Sequence, residues 1–490
     1  MQQYDGSFHN EILPRRLAQS QRGRLGSTRA QPQLSDTLRP PMASSRHIFQ
    51  APKGMRDFFP EDMAIRHHLE QAWRSASIRH GFDEINGPTF EHLELYTIKS
   101  GDGIVSELFS FQRSGGQTDY ALRAEFTPTL ARMVAAKGRS LTVPTKWFAI
   151  PDLFRAERPQ KGRLREHRQW NVDILGVAGP EADAEVIAVA VAALRGLGLG
   201  PEDIRVRISH RGAAASMLAA LGVPEDRMTE AFGLIDKREK LPSEVFTEQA
   251  AALGLQASGV AKLDEMTGSR ISGDQPPASI AKTHGLPVES VAELDALASE
   301  LDKRGLLPFC DWDLGIVRGL AYYTGTVWEI HDARGAFRAI AGGGRYDGLV
   351  EMFEGPSTPA CGFGMGDVVL ALLLADRGLL DGDVSLCPRP DVFVLSSGHD
   401  QAEDLLVPLS TGLRDIGLHV RHTWKATRNI GKQFKEAASC RARIAVVLGE
   451  EVGRGMVSVK DLDAAEQFDV SLGDLSTWIT RRLAGGVERA

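Results

Sequence analysis
The amino-acid sequence predicts an α+β chain built from several modules, and three observations carry that prediction. Strand-like runs pair across turns, above all from Trp147 to Asp173, where apolar residues flank a turn dense in Arg, Lys and Pro. Between about Arg211 and Gly305 the composition shifts to Ala, Leu, Glu and Lys at helical period, which reads as an inserted helical module. Beyond the linker Cys387-Pro388-Arg389-Pro390, strands and helices alternate over about 100 residues, the pattern of a compact α/β unit.

At 490 residues the chain is long enough for two to four domains. Hydrophobic content of 42% and charged content of 25% are those of an ordinary soluble globular protein. A net charge of -7 argues against binding polyanions through bulk charge, while a local basic face stays compatible with nucleic acid. The four cysteines, Cys310, Cys361, Cys387 and Cys440, have neither metal-ligand nor disulfide spacing, which fits a reducing cytoplasm. Apolar runs fall short of a membrane span.

Taken in order, residues 1–47 are rich in Gln, Ser, Arg and Pro and read as a disordered extension; their Arg/Ser bias is a weaker sign of an organelle transit peptide. Pro60-Glu61-Asp62 opens a helix carrying Ile65, Leu69, Trp73 and Ala76, ended by Gly81. Phe82 to Phe90 reads as one strand with Pro88 inside it, suited to an edge or interface. Ser106–Gln112 and Asp119–Arg123 read as strands around Ser114-Gly115-Gly116, and a helix follows from Thr129. Gly179 to Asp183 starts a helix, and Ile204–Ile208 is a strand. In the terminal unit, strands at 391–395, 418–421, 444–449 and 456–459 alternate with helices at 402–416 and 430–439.

Five stretches bear on chemistry. In the Trp147–Asp173 hairpin, Arg155, Arg158, Lys161, Arg163 and Arg165 crowd the turn with Glu157 among them. Planar guanidinium groups suit bidentate phosphate contacts, so the hairpin reads as a triphosphate site or, more plainly, as a solvated charged loop. Glu125 and Thr127 sit two apart where a strand meets a helix, which capping alone also explains. Arg318 with Tyr322 and Tyr323 is unusual inside a glycine-flanked apolar run, because a buried Arg needs a partner. Gly342-Gly343-Gly344 lets backbone approach a ligand closely, or is only a turn. In the tail, Arg421, Lys425, Arg428, Lys432, Lys435, Arg441 and Arg443 stand against Glu436, as a nucleic-acid footprint or a solvated face.

Together these stretches resemble the histidyl-tRNA synthetase family of class II aminoacyl-tRNA synthetases, from about Ala51 to Leu483. Phe154 to Arg163 resembles the second class II motif, Arg318 to Tyr323 and Gly343 to Gly348 the two histidine-specific motifs, and the Pro88 strand the dimer-forming first motif. The resemblance implies a class II catalytic core, an antiparallel sheet flanked by helices, over 48–386 with its helical insertion at about 211–305, and an anticodon-binding-like domain over 390–490. It implies activation of L-histidine by ATP, with Mg2+, to histidyl-adenylate and transfer to tRNA(His) by a cytoplasmic homodimer.

By the same resemblance Arg155 and Arg318 face the α-phosphate as the catalytic pair, Arg163 holds the outer phosphates and Glu157 the adenine end. Glu125, Thr127 and Gln169 bind the histidine amino group, Asp173 and Tyr323 read the imidazole, and Tyr322 and Tyr346 line the pocket, though core packing also explains a tyrosine. Two departures stand out. The third class II motif usually ends in an Arg that stacks on adenine, but Gly364 to Leu370 has none; and Ala321 stands where the family often has Asp. A non-catalytic, histidine-binding regulatory subunit of ATP phosphoribosyltransferase is the alternative; that paralogue typically lacks a C-terminal domain.

Overall fold
The computed structural model describes residues 49–100, 102–238, 241–317, 322–380, 386–424 and 429–485. Residues 1–47, Arg318, Ala321, Lys425 and Arg428 lie outside them, as do the expectations that fall there.

Its centre is a ten-stranded sheet. Six long neighbours are antiparallel throughout: Thr145–Ala149, Glu166–Leu175, Ala360–Gly366, Ala341–Arg345, Thr326–Asp332 and Ile204–His210. Parallel pairing appears only toward the ends described, where Asp83–Glu84 joins Thr145–Ala149 and Cys310–Trp312 joins Ile204–His210. The second of these pairs needs a crossover, and the expected helical module supplies it. Its described helices are Arg211–Ala220, Met228–Asp236, Ser243–Ala252, Ala257–Gly268, Ala278–His284 and Ala292–Lys303. Their apolar faces (Met217, Leu234, Phe246, Leu263, Leu297) join the same buried cluster as Trp170, Val172 and Trp328 of the sheet. The module is a helical layer of the core rather than an appendage.

One sheet face packs against helices and the other carries a row of polar side chains. Trp170, Val172 and Ile174 pack with the helices Pro60–Arg79 and Pro180–Gly196, and the Trp73 and Trp170 rings lie 6.0 Å apart. Pro60 sits at the start of the first helix, where its missing N–H costs nothing, and Asp62 accepts from the Phe59 N–H at 3.0 Å. The alternate residues Gln169, Asn171 and Asp173 point to the opposite face by strand alternation.

Three expectations change. Phe82–Phe90 is two strands, Asp83–Glu84 in the large sheet and Phe90–His92 in a small sheet with Asp119–Leu122 and Ser110–Gln112, because Pro88 interrupts the pairing. Ser106 lies in a 3-10 turn, Asp102–Glu107, ahead of its strand. The helix expected from Thr129 starts at Thr127 with Pro128 in its first turn.

The terminal unit has five strands in the order Val420–His422, Val392–Ser396, Ile444–Leu448, Met456–Asp461, Glu466–Ser471. The first three are parallel and the rest antiparallel. It has buried clusters of its own on both sheet faces, around Val394, Leu406 and Ile479 and around Phe393, Leu395 and Ala437. The last strand and the helix Leu475–Ala484 lay beyond the elements expected from sequence.

Candidate active site
The polar face has a floor without side chains. Antiparallel register aligns Asp173 with Gly362 and Gly362 with Gly344; one step along, Asn171 aligns with Gly364 and Gly364 with Gly342. Directly opposed residues share a face, so these four glycines lie beside Asp173 and Asn171. The space they leave is filled by neighbours. A Cβ on Gly362 would fall 2.1 Å from Asp173 Oδ1, one on Gly364 2.8 Å from Gln169 Cδ, and one on Gly344 2.9 Å from Tyr323 Cδ1. The triple glycine is therefore the middle of a strand, Ala341–Arg345, and not a turn.

Over this floor stands a polar aromatic cluster. The Tyr346 hydroxyl donates to Asp173 Oδ1. Tyr322, Tyr323 and Tyr346 have ring centroids 4.6, 5.9 and 6.5 Å apart pairwise. Phe126, between Glu125 and Thr127, is buried in one cluster with Tyr323 and Tyr346, which brings the strand–helix junction to the tyrosines. Burial pushes the Asp173 carboxyl up to about 7, with the Tyr346 hydrogen bond opposing it. Burial and the neighbouring Asp173 hold Tyr346 well above the ordinary tyrosine range, so its hydroxyl remains a donor.

The cationic hairpin extends the strand that carries Gln169 and Asp173. Asp152–Phe154 pairs with Glu166–Arg168. The ladder continues through Arg155 N–H to Arg165 O at 2.8 Å, and closes at a reciprocal Gln160–Arg163 pair at 2.9 Å, with Gly162 at φ +77° in the tip. Arg155 Nε donates to Ala124 O at 3.2 Å, which fixes it beside Glu125. Arg163 ion-pairs with Glu157 at 2.5 Å. Arg165 is spent on backbone, on Glu157 O at 3.1 Å and Lys53 O at 3.3 Å. Arg158 and Lys161 are exposed. His167, one step of alternation before Gln169, is lowered to about 4 by burial and then by Arg155, Arg56 and Arg163, so it stays neutral.

The structure thus gathers Gln169, Asp173 and Tyr323 against the glycine strands with Tyr346 on Asp173 and Tyr322 against both tyrosines, sets Glu125 and Thr127 on either side of Phe126 of the same cluster and Arg155 on Ala124 O, and pairs Glu157 with Arg163 on the hairpin. Three supporting residues escaped the sequence reading. Arg345 is buried and donates to Asp183, Asp347, Val177 O and Gly179 O, which pins the strand end carrying Tyr346. Arg123 ties the Glu125 loop to Asp152 O at 2.8 Å and Gly87 O at 2.9 Å. Arg56 meets Asp367 at 2.7 Å, and Asp367 also accepts from Arg168 N–H at 3.0 Å. For the two buried arginines, 345 and 123, the available signal was an Arg within a largely apolar stretch. In the third-motif stretch Val369 comes close to the hairpin tip: a Cβ on Gly162 would lie 3.2 Å from its Cγ2.

The expected tail footprint divides. Arg421, Lys432 and Lys435 are exposed. Arg441 and Arg443 are bound elsewhere, Arg441 Nη2 to Cys387 O at 3.2 Å and Arg443 to Asp391 at 3.7 Å. Sequence proximity did not separate cations of the helix Ile430–Ser439 from those that anchor the linker. No described helix is long and apolar enough to cross a membrane.

Comparison with known proteins agrees with this architecture. A family model described as histidyl-tRNA synthetase matches residues 54–367, and one described as anticodon binding domain matches 391–482. Histidine–tRNA ligase of Opitutus terrae is 39% identical over 436 residues, covering 86% of this chain and 96% of its own length. The chloroplastic/mitochondrial histidine–tRNA ligase of Arabidopsis thaliana is 37% identical, covering 86% and 85%. The crystal structure of histidyl-tRNA synthetase from Nostoc sp. superposes with a TM-score of 0.73 at 26% identity, covering 89% of this chain and 99% of that one. The regulatory-subunit alternative is not favoured, since these relatives are ligases and the matched terminal domain is present. The chain belongs to the histidyl-tRNA synthetase family.

Proposed function
We propose that this chain is a histidine–tRNA ligase, which makes histidyl-adenylate from L-histidine and ATP and passes the histidyl group to tRNA(His). The observation that carries the reading is the buried Asp173–Tyr346 pair standing on a glycine floor beside the cationic hairpin. An amino-acid pocket and a phosphate site share one wall.

In this reading the histidine carboxylate attacks the ATP α-phosphorus, the bond to the bridging oxygen breaks, and pyrophosphate leaves with the electron pair. Arg155 stabilises charge developing on the α-phosphate, and Arg318 is proposed to face it from the other side. Arg163 takes the outer phosphates and Glu157 the adenine end, so the nucleotide displaces their mutual ion pair. Glu125, Thr127 and Gln169 receive the amino group. Asp173 offers its second oxygen to an imidazole N–H, since Tyr346 occupies the first. Tyr323 meets the other ring nitrogen and Tyr322 closes the side. In the second step the terminal ribose hydroxyl of the tRNA attacks the histidyl carbonyl and AMP leaves.

Mg2+ belongs to this reading as a companion of the ATP phosphates; among the described residues no three His, Cys, Asp or Glu side chains gather as a protein-borne cage. We assign catalysis to 48–386, with the insertion at 211–305, and tRNA binding to 390–490. A homodimer is proposed through the small sheet, where Phe90 (48% exposed) and Phe111 (42%) cluster with Tyr120 at 5.5 to 5.9 Å and leave an aromatic face in water. A reducing cytoplasm suits the free thiols, two of them buried. Histidine-dependent exchange of pyrophosphate into ATP, followed by charging of tRNA(His), tests the reading; exchange without histidine dependence, or none, overturns it.

A further inference from the structure
Arg123 is 5% exposed, and it joins three separate pieces of the chain. Its Nε donates to Asp152 O at 2.8 Å. Its Nη1 is shared among Gly87 O at 2.9 Å, Pro88 O at 3.2 Å and the Asn86 side-chain oxygen at 3.2 Å. The backbone repeats both links: Arg123 N–H donates to Thr89 O at 3.0 Å, and Arg123 O accepts from Phe154 N–H at 2.8 Å. The turn at 86–88 presses in turn on the helix Thr127–Lys137, for a Cβ on Gly87 would lie 2.4 Å from Thr129 Cγ2 and 3.6 Å from the Phe126 ring. Arg155 follows Phe154 directly, and its Nε donates to Ala124 O, the carbonyl next to Arg123. Arg155 is thus fixed at two points, and Arg123 grips the chain beside each.

The four acceptors of the Arg123 side chain are neutral oxygens, and among the described residues it forms no ion pair. The carboxylate of Asp152 is engaged by Arg66 at 2.6 Å and by Arg168 at 2.7 Å. Burial lowers the Arg123 pKa, with the charge of Asp152 opposing. A buried charge without a carboxylate partner costs more than an apolar side chain of similar volume, so stability is a poor account of it. A planar fork is a better one, because it sets both the distance and the angle between the groups it joins. We propose that Arg123 is a positioning residue for adenylate formation, which holds Arg155 in place by bolting the base of the cationic hairpin and the strand–helix junction to the turn at 86–88. This deepens the ligase reading and rests on it.

The test is histidine-dependent pyrophosphate exchange on full-length protein. Arg123→Met keeps the bulk and removes the fork, and kcat is expected to fall roughly 10- to 100-fold, the cost of an ångström-scale misplacement. KM for histidine should stay within about threefold of wild type, because Asp173, Tyr323 and Tyr346 are held by other partners. Arg123→Lys keeps the charge without the fork and should remain at least about fivefold below wild type in kcat. In an Arg155→Ala background, Arg123→Met should cost no more than about a further twofold, since a residue that acts through another adds little once that one is gone. Losses that multiply in the double variant, a Lys variant at the wild-type rate, or a rise in KM with kcat intact each overturn the proposal. Should Arg123→Met not fold, Asn86→Ala loosens the fork at an exposed acceptor. There kcat is expected to drop about two- to fivefold at an unchanged melting temperature, and a wild-type rate overturns the proposal equally. If wild-type protein shows no histidine-dependent exchange, the ligase reading itself fails, and that result is distinct from these.

Discussion

The Asp173 carboxyl is the residue to which we assign recognition of the imidazole. Its folded pKa, raised to about 7 by burial, stands above the unfolded value near 3.9, so the native state holds the proton more tightly. The stability tied to this proton is full below about pH 4 and falls as pH rises through about 7. Asp173→Asn should therefore raise the melting temperature relative to wild type at pH 8 and give no such advantage at pH 4, by calorimetry. The same residue is proposed to set histidine affinity. Below about pH 6 both the carboxyl and the free imidazole carry protons, so KM for histidine should climb as pH falls, while Asp173→Asn gives a weaker and flatter profile. Arg155 is its proposed counterpart on the nucleotide side. Arg155→Ala should lower exchange kcat by about 100-fold or more while histidine binding by calorimetry changes little, since its charge acts on the transition state. Equal losses for both ligands would contradict that division.

Strands and hairpins decide where these residues stand. The cationic hairpin was legible because charge and proline interrupt two apolar runs; its second strand read from Gln169 to Leu175, and the structure extends it back into the charged stretch to Glu166. The glycine strands were not legible as strands. Gly342-Gly343-Gly344 has no side chains to alternate, and a local reading hears a turn where cross-strand partners impose a sheet. The Asp173–Tyr346 bond is equally invisible locally, because it joins residues 173 apart in the chain. Gly362→Ala tests the strand-level argument. Its Cβ would meet Asp173 Oδ1 at 2.1 Å and Val172 O at 2.5 Å, so backbone must move. We expect a loss of about 1–3 kcal/mol in stability and at least tenfold in KM for histidine. Gly233→Ala, in the helix Met228–Asp236 with nothing within 4 Å of its Cβ, should instead gain up to about 1 kcal/mol. A denaturation series on both variants separates the two.

At the scale of the molecule, composition marked the modules better than it marked their relation. The shift to Ala, Leu, Glu and Lys at 211 marked a helical insert but did not say that its buried residues join the core of the sheet. The terminal unit keeps separate buried clusters, around Val394 and around Phe393. Deleting 391–490 should therefore leave a folded remainder that retains histidine-dependent exchange, while charging of tRNA(His) falls at least tenfold at limiting tRNA. Exchange and charging measured side by side on the truncated protein give the answer. Full charging at low tRNA would remove the RNA-binding role from this unit. The aromatic face of Phe90 and Phe111 makes a further expectation: Phe90→Glu with Phe111→Glu should shift sedimentation equilibrium toward monomer.

The glycine floor also sets a direction for change over evolutionary time. Glycine is the smallest residue, so at Gly344, Gly362 and Gly364 every substitution adds atoms and none removes them. Random drift at these positions can only crowd Tyr323, Asp173 and Gln169. A descendant that accepts a bulkier amino acid must first trim its walls, at Gln169, Tyr323 or Tyr346, and each of those steps gives up part of what selects histidine. Recruitment to a larger substrate therefore passes through an intermediate that discriminates poorly, and laboratory selection for such a substrate should find its first winners in the walls.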